Sequence, residues 1–150
     1  MDYVKYIRSM VGHNKIIMNA AGAVIVKDGK ILLQHRSDND EWGLIGGILE
    51  MGETYTEGAL REIREETGLE VSLDHLLGIY YNADMHWPSG DSAFVIDAIF
   101  KASIVSGEPR TDAESLELRW FFPDELPYLF APDHREAIAD YLSGNKNQMK

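Results

Sequence analysis

Three glutamates near the middle of the chain are spaced so that their side chains share one face of a helix. Glu62, Glu65 and Glu66 stand at i, i+3 and i+4, which brings their carboxylates together. Like charges at this spacing cost a free helix about 0.2–0.5 kcal/mol per pair, so the charge is expected to have a use. A divalent cation such as Mg²⁺ is one use, since it binds carboxylate, water and phosphate oxygens. Taken alone, however, three glutamates on a helix are more typical of a solvated face.

The helix that carries these glutamates is predicted from its two ends and its apolar face. Thr54, followed three residues later by Glu57, is the pattern of a capping box at the helix start. Gly68 is the glycine expected just after the last turn. A second face can pack on the core, because its residues recur at helical spacing: Thr56, Leu60, Ile63 and Thr67.

The rest of the chain is predicted to be mostly strands. Asp28-Gly29 is a strong two-residue hairpin turn between two strands. A C-terminal helix is predicted over residues 132–143, ended by Gly144. The mixture of strands with one helix mid-chain and one at the end predicts an α/β fold, α+β by some schemes. The predicted strands cover residues 16–27, 30–36, one or two within 69–82, 94–105 and 116–122.

A chain of 150 residues is long enough for one domain with a proper core. We divide it into an N-terminal arm at 1–15, a main domain at 16–144 and a polar tail at 145–150. Residues 2–11 of the arm fit a short helix and fit an irregular strand almost as well. The arm is predicted to dock on the body or on a second subunit, which makes a homodimer through the arm a candidate assembly.

Composition and charge exclude several classes of partner. The net charge of −11 repels nucleic-acid backbones and anionic membranes, and no basic cluster offsets it. No apolar run approaches the ~18 residues of a membrane span, and the N-terminus lacks the apolar stretch of a signal peptide. The chain has no cysteine, which excludes disulfides and thiolate metal sites. The prediction is a cytoplasmic protein that binds a small molecule, neither long nucleic acid nor membrane.

Residues 47–69 resemble the Nudix box at every fixed position, which is far more specific than a lone glycine motif. The flanking segments 42–44 and 120–127 look like the same family, so that the resemblance covers about residues 16–142. The residue before the paired glycines is often proline in the family and is Ile45 here, which leaves the loop geometry open. The matching box residues are Gly47, Glu53, Arg61, Glu62, Ile63, Glu65, Glu66, Gly68 and Leu69.

The resemblance implies a fold, a reaction and a cofactor. The fold would be an α/β/α sandwich around a mixed β-sheet. The reaction would be Mg²⁺- or Mn²⁺-dependent hydrolysis of a nucleoside diphosphate linked to another group X. A nucleotide sugar such as ADP-ribose is the first candidate substrate, beside nucleoside triphosphates, dinucleoside polyphosphates and capped RNA ends. The alternative is a catalytically silent nucleotide-binding or regulatory module, which usually shows a broken set of box glutamates.

By the same resemblance, Glu62, Glu65, Glu66 and the backbone carbonyl of Gly46 would hold the metal. A glycine at position 46 would leave room for it. Arg61 and Glu53 would brace the box as a bidentate pair. Gly47 and Gly68 would shape its backbone.

The resemblance implies that the general base is a box glutamate, Glu62 or Glu65, or a glutamate from a later loop. We prefer Glu114, because a loop residue can reach over the metal site. Glu117 alternates with apolar residues in a strand and is predicted to be solvated.

Three residues outside the box are candidate substrate contacts. Arg36 ends a strand near the box and could contact a phosphate or pair with Asp38. Trp42 could stack on a base or pack under the box. Tyr81 borders a predicted loop at 83–92 that is rich in aromatic residues. This loop would form a lid or nucleobase clamp, or else Trp87-Pro88 would pin it or make a subunit contact.

Overall fold

The computed structural model describes residues 2–150; Met1, the first residue of the predicted arm, lies outside them. The described chain forms three α-helices and eight β-strands. The helices are α1 (Tyr3–Val11), α2 (Tyr55–Thr67) and α3 (Pro132–Ser143). The strands are β1 (Ile16–Lys27), β2 (Lys30–Arg36), β3 (Trp42–Gly43), β4 (Ile45–Ile48), β5 (Glu70–His86), β6 (Ser92–Ser106), β7 (Ser115–Phe121) and β8 (Gln148–Met149). None of the helices within residues 2–150 is long and apolar enough to cross a membrane.

Strand β1 lies at the centre of the single mixed sheet. It runs parallel to β6, with pairing from Ile16 to Val26. Two strands pair with its other edge: β4 pairs with residues 20–23, and β2 pairs with Val26 and Lys27. The strand order is β3-β2-β1-β6-β5-β8, with β7 added on β2. This sharing places the glycine pair of β4 directly beside the middle of β1.

Helices α2 and α3 cover opposite faces of the sheet, which gives the α/β/α sandwich that the resemblance implied. Ile63 of α2 packs with Ile25, Leu32 and other buried strand residues on one face. Ala137 and Ile138 of α3 pack in a separate cluster on the other face. These two layers pack α2 against β1 and β4, and they pack α3 mainly against β5.

The N-terminal arm forms a helix that docks on its own domain. Tyr3, Val4 and Ile7 pack against a small apolar cluster at the start of β1 and β6. The guanidinium of Arg8 donates to the carbonyl oxygens of Asn14 at 2.8 Å and Ser92 at 2.9 Å. The helix was the first of the two predicted conformations, and the homodimer through the arm stays a prediction.

One sequence interpretation of the C-terminal half is wrong. Residues 83–86, assigned to a loop, continue β5, because Met85 and His86 pair with Ala93 and Ser92 across a bulge. The predicted lid is therefore the tip of a β-hairpin. The residues of the predicted polar tail include a short strand that sequence reasoning did not identify: Gln148–Met149 forms β8 beside β5, and the amide of Lys150 donates to the carbonyl of Ile79.

Candidate active site

Helix α2 begins and ends at the residues that the local sequence predicted. Thr54 and Glu57 form a reciprocal capping box, and Gly68 ends the helix with φ of 74° in the left-handed region. Ala59 and Ile63 are fully buried on the sheet side. Since these apolar residues fix the rotation of the helix, Glu62, Glu65 and Glu66 line a cavity beside β4.

Each of the paired glycines of β4 lets a different neighbour come close to its backbone. A Cβ on Gly46 would lie 2.6 Å from the carbonyl oxygen of Ala21 in β1, and a Cβ on Gly47 would lie 2.6 Å from the carboxyl carbon of Glu62. The missing side chain of Gly46 thus makes room for β1, whereas sequence reasoning had it leave room for a metal. Ile45 pairs with Ala23 and is fully buried, so it acts as a strand residue at this point.

Arg61 joins three carboxylates at the mouth of the cavity. Its guanidinium binds Glu53 through two hydrogen bonds of 2.6 and 2.9 Å. One terminal nitrogen also donates to Glu62 at 2.9 Å and to Glu65 at 3.1 Å, and the other to the carbonyl of Ile48 at 3.2 Å. Arg61 therefore ties the loop before α2 to the acidic face of the helix.

Glu66 is the most deeply buried of the three box glutamates, with 3% of its surface exposed. Its carboxylate accepts a hydrogen bond of 3.3 Å from the backbone N–H of Gly46. Burial raises the pKa of Glu66 well above its ordinary value, and the charges of Glu62 and Glu114 raise it further. Burial also raises the pKa of Glu62, although the bond from Arg61 opposes this. The cavity thus holds more carboxyl groups than cationic side chains, and their repulsion disfavours full ionisation.

Glu114 and Arg36 face the box glutamates from another wall of the cavity. The backbone of Glu114 is held on both sides, since its N–H donates to Asp112 and its carbonyl accepts from Ser37, each at 3.0 Å. Glu114 is exposed and lines the cavity. Arg36 pairs with Asp38 through two bonds of 2.9 and 2.7 Å, as one of its two predicted alternatives has it, and it also lines the cavity. Its contact with a phosphate stays a prediction.

The cavity has a volume of about 450 Å³ and extends beyond the box to a second polar group. Asp97 of β6 and Asp133 and His134 at the start of α3 line this inner part. Asp97 and Asp133 are 6% and 3% exposed. Sequence reasoning missed this group, and its one signal was the position of a charged residue, Asp97, between apolar neighbours of β6.

Trp42 and Tyr81, assigned from the sequence as substrate contacts, are not among the described residues that line the cavity. Trp42 stacks on His35 with ring centroids 4.8 Å apart and meets Phe121 edge-on at 5.1 Å. Tyr81 lies on the outer side of β5 with its ring 5.8 Å from that of Phe94. The structure gives both rings packing partners within the fold.

Glu117 is held away from the site by its neighbour in β7. The guanidinium of Arg119 binds both of its carboxylate oxygens at 2.9 Å. Glu117 does not line the cavity, in contrast to Glu114. Of the two later carboxylates considered from the sequence, the structure brings only Glu114 to the box.

Comparisons with known proteins agree with this arrangement. Residues 17–141 match the NUDIX domain. An ADP-ribose pyrophosphatase of Methanocaldococcus jannaschii is 40% identical over 126 residues, which cover 82% of this chain and 72% of that protein. A MutT-like protein of Streptomyces ambofaciens is 35% identical over 127 residues, which cover 85% of this chain and 77% of that protein.

A solved structure of a related protein is also similar to this chain. The crystal structure of a MutT NUDIX hydrolase from Burkholderia pseudomallei has a TM-score of 0.73 and 31% sequence identity to this chain. The match covers 83% of this chain and 97% of the other.

Proposed function

Since this chain belongs to the Nudix family of hydrolases, we propose that it is a Mg²⁺-dependent pyrophosphohydrolase acting on a nucleoside diphosphate linked to another group. The observation that carries the proposal is the buried carboxylate of Glu66, which shares one cavity with Glu62, Glu114 and the cationic Arg36. A site of this kind can receive a phosphate only together with further positive charge.

The residues at the mouth of the cavity fit a divalent cation. Burial and mutual repulsion disfavour the charged forms of Glu62 and Glu66, and a bound cation would relieve both effects. Glu62, Glu65 and Glu66 would hold Mg²⁺, or Mn²⁺, with the carbonyl oxygen of Gly46. When bound, the metal would neutralise phosphate charge and lower the pKa of a coordinated water.

Three side chains of the protein would bind the phosphate, accept the proton and position the box glutamates. Arg36, already fixed by Asp38, would bind a phosphate oxygen of the substrate. Glu114 would take the proton from the attacking water, since its carboxylate is exposed in the cavity on a fixed backbone. Arg61 would keep Glu62 and Glu65 in position.

The similarity to an ADP-ribose pyrophosphatase supports a nucleotide sugar as substrate, and ADP-ribose is our first candidate. The net charge of −11 favours a small nucleotide over a long nucleic acid. The cytoplasmic location stays a prediction from the sequence. A catalytically silent module is the alternative, and the intact set of Glu62, Glu65 and Glu66 argues against it.

A panel of pyrophosphate compounds tests the proposal. The purified protein is incubated with ADP-ribose, UDP-glucose, a nucleoside triphosphate and a dinucleoside tetraphosphate, with Mg²⁺ or with EDTA, and the products are separated by chromatography. We expect ADP-ribose to be split into AMP and ribose 5-phosphate with Mg²⁺ only. If none of these compounds is hydrolysed, the catalytically silent module explains the structure better.

Replacing Glu114 by Gln is expected to lower kcat by about 10²–10⁴-fold, the usual contribution of a general base. KM should change little, because Glu114 is not assigned a binding contact. Steady-state kinetics on the best substrate of the panel measures both constants. Glu117→Gln, in a carboxylate paired with Arg119 outside the cavity, is the matched control and should keep its activity. Equal activity of the two variants would transfer the role of base to a box glutamate.

A further inference from the structure

A chain of three hydrogen bonds connects a buried side chain of β2 to the backbone of Glu114. It begins at Gln34, which is 1% exposed. The side-chain amide of Gln34 donates to Oγ of Ser115 at 2.7 Å, and the hydroxyl of Ser115 donates to Oδ1 of Asp112 at 3.3 Å. The same oxygen of Asp112 accepts from the backbone N–H of Glu114 at 3.0 Å. The candidate base is therefore linked to the interior of the sheet.

The direction of these bonds follows from the groups that form them. A carboxylate only accepts hydrogen bonds, so the single hydroxyl hydrogen of Ser115 points to Asp112. The oxygen of Ser115 must then accept the other bond, and Gln34 must present its NH₂ group to it. Hydrogen bonds aligned in this way polarise and strengthen one another.

The same orientation leaves the side-chain carbonyl of Gln34 without a partner. Its Oε1 is buried and has no hydrogen-bond partner among residues 2–150. Such an acceptor destabilises a fold, because it has lost its water and gained no bond in exchange. The preceding residues Leu32 and Leu33 are fully buried, so an apolar side chain at position 34 would serve stability better. Gln34 is therefore expected to have a use other than stability.

The bond between Gln34 and Ser115 crosses a β-bulge. In the antiparallel pairing of β2 with β7, Ser115 lies opposite Arg36, and the register skips Leu116, which is 57% exposed. Bulges are common next to active sites, where they redirect a side chain. This bulge sets Glu114, the residue before Ser115, on the same cavity as Arg36. The bond from Gln34 holds the two strands in the register that produces this arrangement.

We propose that Gln34 and Ser115 are positioning residues for the reaction, which hold Glu114 where its carboxylate can accept the proton of the attacking water. The inference rests on the proposed function, which assigns Glu114 as the general base. Asp112 is half-buried and Glu114 is exposed, so that hydrogen bonds have to do what packing does in the core. A misplacement of about 1 Å can lower a rate about 10²-fold, which gives this alignment a large effect on catalysis.

Gln34→Met separates positioning from stability. Methionine is unbranched like glutamine and lacks both its donor and its unpaired acceptor. We expect the melting temperature to equal or exceed that of the wild type, because the buried unpaired oxygen is removed. On the best substrate of the panel, kcat should fall about 10-fold with little change in KM. A residue that served the fold alone would change stability and activity in the same direction.

Ser115→Ala removes the central hydroxyl and should lower kcat about 10–100-fold. Ser115→Thr restores the hydroxyl and should recover most of this loss. In a protein that already carries Glu114→Gln, Ser115→Ala should cause no further loss, since residues that act through one another are not additive. Ser103→Ala is the matched control, because the hydroxyl of this strand serine also donates to an aspartate, Asp74, and lies outside the cavity. Its kcat should equal that of the wild type.

Amide hydrogen exchange, followed by NMR without substrate, measures how firmly the loop is held. The N–H of Ser37, which donates to the carbonyl of Glu114, should exchange about 10-fold faster in Gln34→Met and in Ser115→Ala. The inference is overturned if both variants keep the wild-type kcat, or if exchange at Ser37 is unchanged. It is also overturned if Ser115→Ala lowers kcat as much beside Glu114→Gln as it does alone. Failure of the proposed function would appear separately, as wild-type kcat in Glu114→Gln or as no hydrolysis in the substrate panel, whatever the exchange rates.

Discussion

Glu66→Gln is expected to remove most of the activity and, in the absence of metal, to make the protein more stable. The activity effect follows from the proposed metal binding, and the stability effect follows from the burial of Glu66, which is 3% exposed. If Glu66 helps to hold the metal, its loss should remove several kcal/mol of transition-state stabilisation. A loss of about 3 kcal/mol corresponds to a fall of roughly 100-fold in kcat. Steady-state kinetics with Mg²⁺ measures this, and unchanged kcat would contradict the metal assignment.

The stability effect depends on pH, and its direction follows from the raised pKa of Glu66. The folded protein keeps a proton that the unfolded chain releases above about pH 4.5. Stability of the metal-free wild type should therefore fall as the pH rises from that value toward the folded-state pKa of Glu66. Glutamine carries no charge at any pH. In thermal melts in EDTA at about pH 8, the variant should have a higher melting temperature than the wild type. Its melting temperature should also depend less on pH.

Addition of Mg²⁺ should reverse the order of the two proteins. A ligand that binds only the folded state at 100 times its Kd stabilises it by about 2.7 kcal/mol. The wild type should gain this stability, and Glu66→Gln should gain much less. Glu70→Gln is the control, because Glu70 is an exposed glutamate that pairs with Arg64 just beyond the same helix. It should melt like the wild type with and without Mg²⁺.

The parts of the fold that the sequence predicted well are those decided by neighbouring residues. The capping box at Thr54 and the left-handed glycine at position 68 fix α2 through contacts within a few residues. The hairpin turn at Asp28-Gly29 likewise needs only two positive φ angles, 51° and 75°. Such signals can be read from a single sequence because no distant partner is needed.

The parts that the sequence did not predict depend on partners far along the chain. The strand β8 exists because Gln148 and Met149 meet β5, and nothing in the polar residues themselves favours a strand. The packing of Trp42 between His35 and Phe121 requires three elements to be in place. The inner polar group joins Asp97 to Asp133 across a β-strand and a helix, a contact that no spacing in the sequence reveals.

The replacement of Arg61 by Ala should cause the largest loss of stability among the box variants. Arg61 contributes bonds to Glu53, Glu62 and Glu65 and to one backbone carbonyl. Removing one partner of a buried ion pair costs about 3–5 kcal/mol, and the partial exposure of Arg61 reduces this to about 2–3 kcal/mol. For a domain of this size, each kcal/mol lowers the melting temperature by about 2–4 °C, so a fall of roughly 5–10 °C is expected.

Arg61→Lys separates the charge of Arg61 from its geometry. Lysine keeps the positive charge but cannot form the bidentate pair with Glu53. The carboxylate of Glu53 also accepts a hydrogen bond of 2.7 Å from the backbone N–H of Glu50. We expect Arg61→Lys to recover part of the stability and little of the activity, since Glu62 would still lack its fixed donor. A double-mutant cycle with Glu53→Gln should give a coupling energy of about 0.5–3 kcal/mol between the two residues. Additive effects of the two single changes would mean that the pair does not brace the box, and that Arg61 acts mainly by neutralising Glu62 and Glu65.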